Sequence, residues 1–434
     1  MSCSPLPAAQ VAAFSDGTLQ SASRKNLLRL VPLLAIGYFF NYIDRTNIGF
    51  AALTMNHDLG LTNTQFGAAA GMFFIGYCLL EVPSNLALYR FGARRWLARI
   101  MVSWGLLASA CAFVGGPTSF YILRILTGAA EAGFFPGVLF YLSCWFPARN
   151  RVRILAWFLV AIPLSSVVGG PLSVAIMSMD GLAGLRGWQW LFLLEGLPAC
   201  VLGVLTLLLL RDRPQEATWL TADERAALID VLERESARIP KKNFGATIRD
   251  PKVWIMTGIL FSYWIGINGI AIWLPLILKG HGLSNVAVGL LSGLPYLIAA
   301  VVMIVWARWM DRSGRHCLHL VAACLVAAAG LGFSVISDAL TPAMVGIVLA
   351  VIGLSSARPA FYSLPSRYLT GVAAAGGMAF INATGSLGGY VGPWMVGVLK
   401  DATHSFFSGM VAMSAMLVVA AALSVVLIAV TKEA

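Results

Sequence analysis

The sequence predicts an all-α membrane protein, with twelve transmembrane helices in two pseudo-symmetric six-helix halves. Three observations carry that prediction: an apolar composition, twelve long apolar runs, and cations confined to alternate loops. Of the 434 residues, 59% are hydrophobic and 11% charged, and the mean hydropathy is +0.81. A water-soluble domain carries about 25% charge. This chain cannot clothe a globular surface with polar groups, which argues against a cytosolic enzyme and against disorder. Its 43 glycines suit membrane helices that approach closely through small residues.

A spanning helix needs about 20 apolar residues. Residues 1–26 do not qualify. They are Ser/Ala-rich without the apolar stretch of a signal peptide, and read as a cytoplasmic N-terminal tail ahead of a first helix that is its own targeting signal. Residues 27–210 form the first half, with spans near Leu27–Leu53, Phe66–Tyr89, Trp96–Val114, Ser119–Phe146, Ile154–Met179 and Trp188–Leu210. Residues 211–251 are polar. Thr221-Ala-Asp-Glu224 there is a capping box, Leu228, Val231 and Leu232 make a narrow apolar stripe, and Pro240 ends the helix. This cytoplasmic linker with a surface helix reads as a solvated tether, with a regulatory docking site as the alternative. Residues 252–434 form the second half, with spans near Lys252–Leu278, Val286–Met310, Cys317–Ile336, Pro342–Pro365, Gly371–Leu399 and Ser405–Val430.

Lys and Arg set the orientation. With both termini in the cytoplasm, most of the 30 fall on the inner side, including Arg367 and Lys432. The outer side holds Arg186, Lys279 and Lys400, and Arg45, Arg124 and Arg358 lie within spans. The net charge of +11 is therefore a topology signal and not a nucleic-acid footprint. Seven cysteines without a CxxC, and five histidines without ligand spacing, suggest neither disulfides nor a metal.

The halves repeat. Gly92 and Gly314 sit in the loops after spans two and eight, and the interval between them is the same as that between Gly170-Pro171 and Gly392-Pro393. Paired halves are the architecture of many secondary transporters, with the substrate between them near the midplane. Ionisable groups inside spans cost at least about 2.5–3.5 kcal/mol each and signal function. They are Asp44, Arg45, Glu81, Arg124, Glu131, Glu195 and Arg358. Tyr38, Tyr42 and Arg45 share one helix face, as do Arg124 and Glu131. Moved by the repeat interval, Asp44 and Arg45 fall on Gly266 and Ile267, and Arg124 and Glu131 fall on Gly346 and Gly353. The charge machinery thus belongs to one half. A structural salt-bridge cluster is the plainer reading, but buried ion pairs contribute little to a static bundle. A machine that protonates and releases carboxylates has reason to keep them. Glu81, four residues after Tyr77, suits gating, pairing with a loop arginine, or proton handling. Glu195, after Trp188 and Trp190, reads as an interfacial anchor. Arg358 either snorkels to the inner surface or is a cavity cation.

Several stretches resemble the major facilitator superfamily, and within it the anion:cation symporter family of bacterial tartrate, phthalate, hydroxyphenylacetate and sugar-acid permeases. They are Asn41-Tyr-Ile-Asp-Arg-Thr-Asn47, Glu81-Val-Pro-Ser-Asn85, Arg90-Phe-Gly-Ala-Arg-Arg95, Arg124-Ile-Leu-Thr-Gly-Ala-Ala-Glu-Ala-Gly133 with Pro136-Gly137, and Ile381-Asn382 before Gly388-Gly389. The resemblance implies proton-coupling roles for Asp44 and Glu131 and a substrate-carboxylate contact for Arg45. It also implies pocket positions at Tyr42, Tyr77 and Asn382, with Phe361 and Tyr362 as further candidates, and a charge network that includes Arg124; Glu81 and Arg358 join that network here as further ionisable groups within spans. Tyr89 precedes Arg90 where the superfamily's loop motif has an acid, and Asp311 restores that acid only in the second half. Arg358 lies outside the pattern.

These readings point to a secondary active transporter: proton-coupled symport of a small organic carboxylate by alternating access, in a bacterial inner membrane. An anion exchanger or facilitator without proton coupling is the alternative. No enzyme constellation stands out. The expected partners are the substrate anion and the bilayer, with no cofactor beyond the proton, no nucleic acid and a monomeric state.

Overall fold

The computed structural model describes residues 16–237, 250–364 and 372–431. Among the described residues, eleven helical segments are long and apolar enough to cross a membrane. The twelfth expected span, the eleventh in chain order, is two consecutive helices, Val372–Gly385 and Gly388–Thr403, too short to count singly. The all-α, twelve-span prediction therefore holds. Spans one to three are Asp16–Asp58, Asn63–Phe91 and Ala93–Ala110. Span four is Pro117–Glu131 followed by Phe134–Ser143, span five is Ala148–Leu159 followed by Ala161–Met177, and span six is Gly187–Leu209. In the second half, spans seven to ten are Pro251–Gly280, Asn285–Ser313, His316–Phe333 and Leu340–Ser363, and span twelve is Phe407–Thr431.

Local chemistry explains several starts. Thr62 and Gln65 cap span two reciprocally, each backbone N–H donating to the other's side chain at 3.1 Å. Asp250 accepts from Lys252 N at 2.9 Å, with Pro251 in the first helical position. Gly92 and Gly314, the landmarks of the repeat, both terminate helices at positive φ, +86° and +68°, the region that favours glycine.

Two boundaries differ from the sequence reading. Span one begins at Asp16, well before the apolar run, so residues 16–26 extend the helix instead of trailing as a tail. The reason is tertiary. Ser21 and Lys25 bond Glu224 at 2.6 and 2.8 Å, and Asn26 accepts from Trp219 Nε1 at 2.8 Å. The linker helix, Ala222–Ala237, is accordingly docked on the first half and is no solvated tether. Its capping box forms as expected, Leu228 is fully buried, and Glu235 pairs with Arg151 at 2.9 Å. Pro240, Arg367, Lys432 and residues 1–15 lie outside the described residues.

The halves meet along a seam that carries the repeat. Gly67 in span two lies against the Pro393 carbonyl of span eleven, and Gly289 in span eight lies against the Gly170 carbonyl of span five. Gly67 and Gly289 are separated by the repeat interval too, so the two contacts are one contact repeated by pseudo-symmetry. A methyl group at any of these glycines would strike backbone. Asp401, in the last turn of span eleven, fastens the seam by accepting from the backbone N–H groups of Asn63 and Thr64 at 3.2 and 2.7 Å. These contacts lie at the membrane face opposite the linker. Spans four and ten make no extensive contact among the described residues. The halves are thus held together at the face opposite the linker.

Candidate functional site

Span one places Tyr38, Tyr42 and Arg45 on the side turned toward the middle of the bundle. The Tyr38 and Tyr42 rings meet edge to face at 5.1 Å. Arg45 Nε donates to Glu131 Oε1 at 2.7 Å, and Nη2 reaches the same oxygen. The Arg45 guanidinium also faces the rings of Tyr42 at 5.7 Å, Phe73 at 5.2 Å and Tyr77 at 5.2 Å. Aromatic faces attract a desolvated cation, so the fork is held by π surfaces with a single carboxylate oxygen as its anionic partner.

Glu131 owes its position to a break in span four. The helix stops at Glu131, Ala132 is extended, and Gly133 turns at φ +87°. The carboxyl is 1% exposed, and its Oε2 has no hydrogen-bond partner. Arg124, two turns earlier, is 4% exposed and stands 5.0 Å from the Phe73 ring. Phe73 therefore serves both guanidiniums. Sequence reasoning missed it because a phenylalanine in an apolar span is indistinguishable from core; only the arginines around it give it meaning.

Asp44, next to Arg45 in the sequence, does not pair with it. Trp104 Nε1 donates to its Oδ2 at 2.5 Å and Asn47 Nδ2 to its Oδ1 at 3.2 Å. Adjacent residues of a helix point about 100° apart, so Arg45 turns to the centre while Asp44 turns into its own half. The acid that shares Arg45 is Glu131. Glu195 also departs from its reading as an interfacial anchor. It is fully buried, accepts from Ser173 at 2.9 Å, and faces Asn47 and Asp44. Glu81 forms no ion pair with a loop arginine among the described residues. One of its oxygens is buried without a partner, and its charged neighbour is Arg45.

The second half supplies the facing wall. Tyr362 Oη donates to Asn382 Oδ1 at 3.2 Å, which joins spans ten and eleven. Phe361 does not line this wall: it is 2% exposed and packs in the core of its own half. Arg358 does not reach a membrane surface. Its guanidinium stands 5.9 Å from the Tyr42 ring, across the interface between the halves. No group of His, Cys, Asp and Glu among the described residues could hold a metal ion.

Two six-helix halves, shut at one face around a charge-lined centre, define a secondary transporter. The sequence profile of the Major Facilitator Superfamily matches residues 34–393, and the chain belongs to that superfamily: it is a multi-pass membrane transporter and not an enzyme. A protein of Agrobacterium vitis named "Putative tartrate transporter" is 47% identical over 93% of this chain and 90% of its own length. "Inner membrane transport protein RhmT" of Escherichia coli is 35% identical over 87% of this chain and 89% of its own. The fold matches the partially occluded inward-open structure of the E. coli xylose transporter XylE with a TM-score of 0.73, at 16% identity, over 92% of this chain and 97% of that one.

Proposed function

We propose that this transporter couples the uptake of a small organic carboxylate to protons, with the linker face in the cytoplasm of a bacterial inner membrane. The observation that carries the reading is the Arg45–Glu131 pair at the centre of the bundle. A guanidinium fork suits a carboxylate. An incoming anion would take Arg45 from Glu131, and a buried carboxylate stripped of its cation is costly unless it takes up a proton. The unpartnered Oε2 leaves room for that proton. Anion and proton then travel together. Charge balance supports the same scheme. Asp44, Glu81, Glu131 and Glu195 face only Arg45 and Arg124 within this half, and such a set is neutral when two of the four acids hold protons. The tartrate name of the Agrobacterium relatives agrees with a carboxylate substrate. The protein works as a monomer with no cofactor beyond the proton.

The test is uptake into proteoliposomes with a panel of radiolabelled carboxylates, with and without an inward proton gradient. Accumulation above equilibrium that collapses with an uncoupler is the expected result. Equilibration or one-for-one exchange indifferent to the gradient would instead establish the facilitator or exchanger.

A further inference from the structure

Arg358 has no role in the coupling just described. It is a guanidinium deep in span ten, where a cation must earn its place. The ionisable groups nearest it are the hydroxyls of Tyr42, Tyr38, Tyr263 and Tyr362. None is a carboxylate, and no described carboxylate forms an ion pair with it. Arg45, by contrast, is paired with Glu131. The two guanidiniums come from opposite halves and share one neighbour, the Tyr42 ring, at 5.7 and 5.9 Å. Those two distances cap the separation of the guanidinium carbons at about 12 Å, whichever faces of the ring they approach.

We propose that Arg358 is a second anion fork, and that Arg45 and Arg358 together grip the two carboxylates of a four-carbon dicarboxylate across the interface between the halves. The dimensions agree. In an extended four-carbon diacid the carboxyl carbons are roughly 4 Å apart, as for any trans 1,4 pair of atoms. A bidentate pair at normal hydrogen-bond lengths puts the guanidinium and carboxylate carbons roughly 4 Å apart. Two such pairs joined end to end reach about 12 Å, enough to bridge any gap up to the limit set by the two distances to the Tyr42 ring. Tyr42 lies between the forks, and Tyr362 with Asn382 forms the adjoining wall on the second half. A monocarboxylate would satisfy one fork and leave the other facing only phenols. A dianion would instead tie the halves to each other, which gives binding a direct mechanical consequence for closure. This inference rests on the carboxylate reading of Arg45 and adds both the substrate's second charge and the residue that meets it.

The experiment is competitive binding to the purified full-length protein. The probes are succinate, malate and L-tartrate, each paired with its monomethyl ester. In the wild type each diacid should bind at least 10-fold tighter than its ester. Losing a hydrogen bond to a charged group corresponds to roughly 10- to 100-fold in affinity. Arg358→Gln should therefore weaken the diacids by that factor, leave the esters nearly unchanged and bring the ratio close to one, with Arg358→Lys in between. Esters that match diacids in the wild type would overturn the proposal even if the variants fail to fold. So would an Arg358→Gln protein that weakens acids and esters alike, the mark of a merely structural cation. If the esters match the diacids and still accumulate with protons, the dicarboxylate inference fails while the proposed function stands. If neither class binds at all, the dicarboxylate inference fails, while the proposed function is still decided by the wider uptake panel.

Discussion

The two halves share a backbone plan and differ in what fills it. In the first half Asp44 and Glu195 face one another in the core. Their counterparts in the second half, Gly266 and Leu417, simply pack together. Arg124 and Glu131 correspond to Gly346 and Gly353, which let span ten lie directly on the backbone of span nine, at Gly330 and Ser334 and at Ala323 and Ala327. Equivalent positions thus hold titratable charge on one side and close helix contact on the other. Each buried charge costs at least about 2.5–3.5 kcal/mol. The second half has shed that cost everywhere except Arg358. On the proposed reading the first half changes protonation, while the second, packed through close helix contacts, presents a wall.

The largest effect that could break this contrast is at Glu131. With Glu131→Gln, Arg45 keeps a neutral partner of the same shape, but no proton can be taken up or released there. Proton-driven accumulation should fall at least about 100-fold, to the background of empty liposomes, while substrate binding or counterflow exchange persists, because swapping anions needs no change in protonation. Uptake against a gradient comparable with wild type would show that the Arg45–Glu131 pair is structural. The same substitution leaves the buried Arg45 without its anion, so stability should fall, by up to about 3–5 kcal/mol, and coupling is read on the protein that remains folded.

The counterpart experiment is Gly353→Leu. A side chain at Gly353 meets the Ala323 carbonyl and the backbone of Ala327. Overpacking of a close contact costs about 1–3 kcal/mol, so thermal stability in detergent should drop clearly. Coupling, measured on the protein that remains folded, should keep its proton dependence. A Gly353 variant that folds well yet loses coupling would mean that the charge machinery extends into the second half.

The sequence showed this division before any coordinates, because the repeat interval pairs charges with glycines. It showed span number, the seam landmarks Gly170-Pro171 and Gly392-Pro393, and the charged set Arg45, Arg124 and Glu131, since charge and its helical spacing stand out against an apolar background; Tyr42 and Tyr77 entered through the family resemblance. It did not show which acid holds Arg45. Asp44 and Glu131 are both acids near a basic residue, and the choice depends on the rotation of span one and the break at Gly133. Glu195 was misread because its neighbours in sequence are interfacial tryptophans while its neighbours in space are Ser173 and Asn47. Phe361 was assigned to the pocket for a related reason: neighbouring residues of a helix point about 100° apart, and sequence does not say that Tyr362 turns to Asn382 while Phe361 is buried. The docking of the linker helix depends on polar partners in residues 16–26, which hydropathy discards.

The smallest effect concerns that linker, and it sharpens the contrast. Its described bonds go to the first half: Glu224 to Ser21 and Lys25 in span one, Glu235 to Arg151 and Ala148 N in span five. A helix so attached moves with the first half and leaves the second free. Burial raises the Glu224 carboxyl, but the hydrogen bonds from Lys25, Ser21 and the Thr221 N–H outweigh it and hold the group down to about 2, below the ordinary Glu range near 4.3. The sign follows: the docked state binds the proton more weakly, so this contribution is complete above about pH 4.3 and fades as the pH falls toward 2. Lys25 is partly exposed, and such pairs contribute about 1 kcal/mol or less. Glu224→Gln should therefore speed amide hydrogen exchange in residues 222–237 by no more than about five-fold and leave transport unchanged. The wild-type exchange pattern, corrected for intrinsic rates, should be flat between pH 5 and 8. Loosening within that window would mean that a group other than Glu224 holds the linker, and a loss of coupling in the variant would make the linker part of the moving machinery instead of a passenger on the first half.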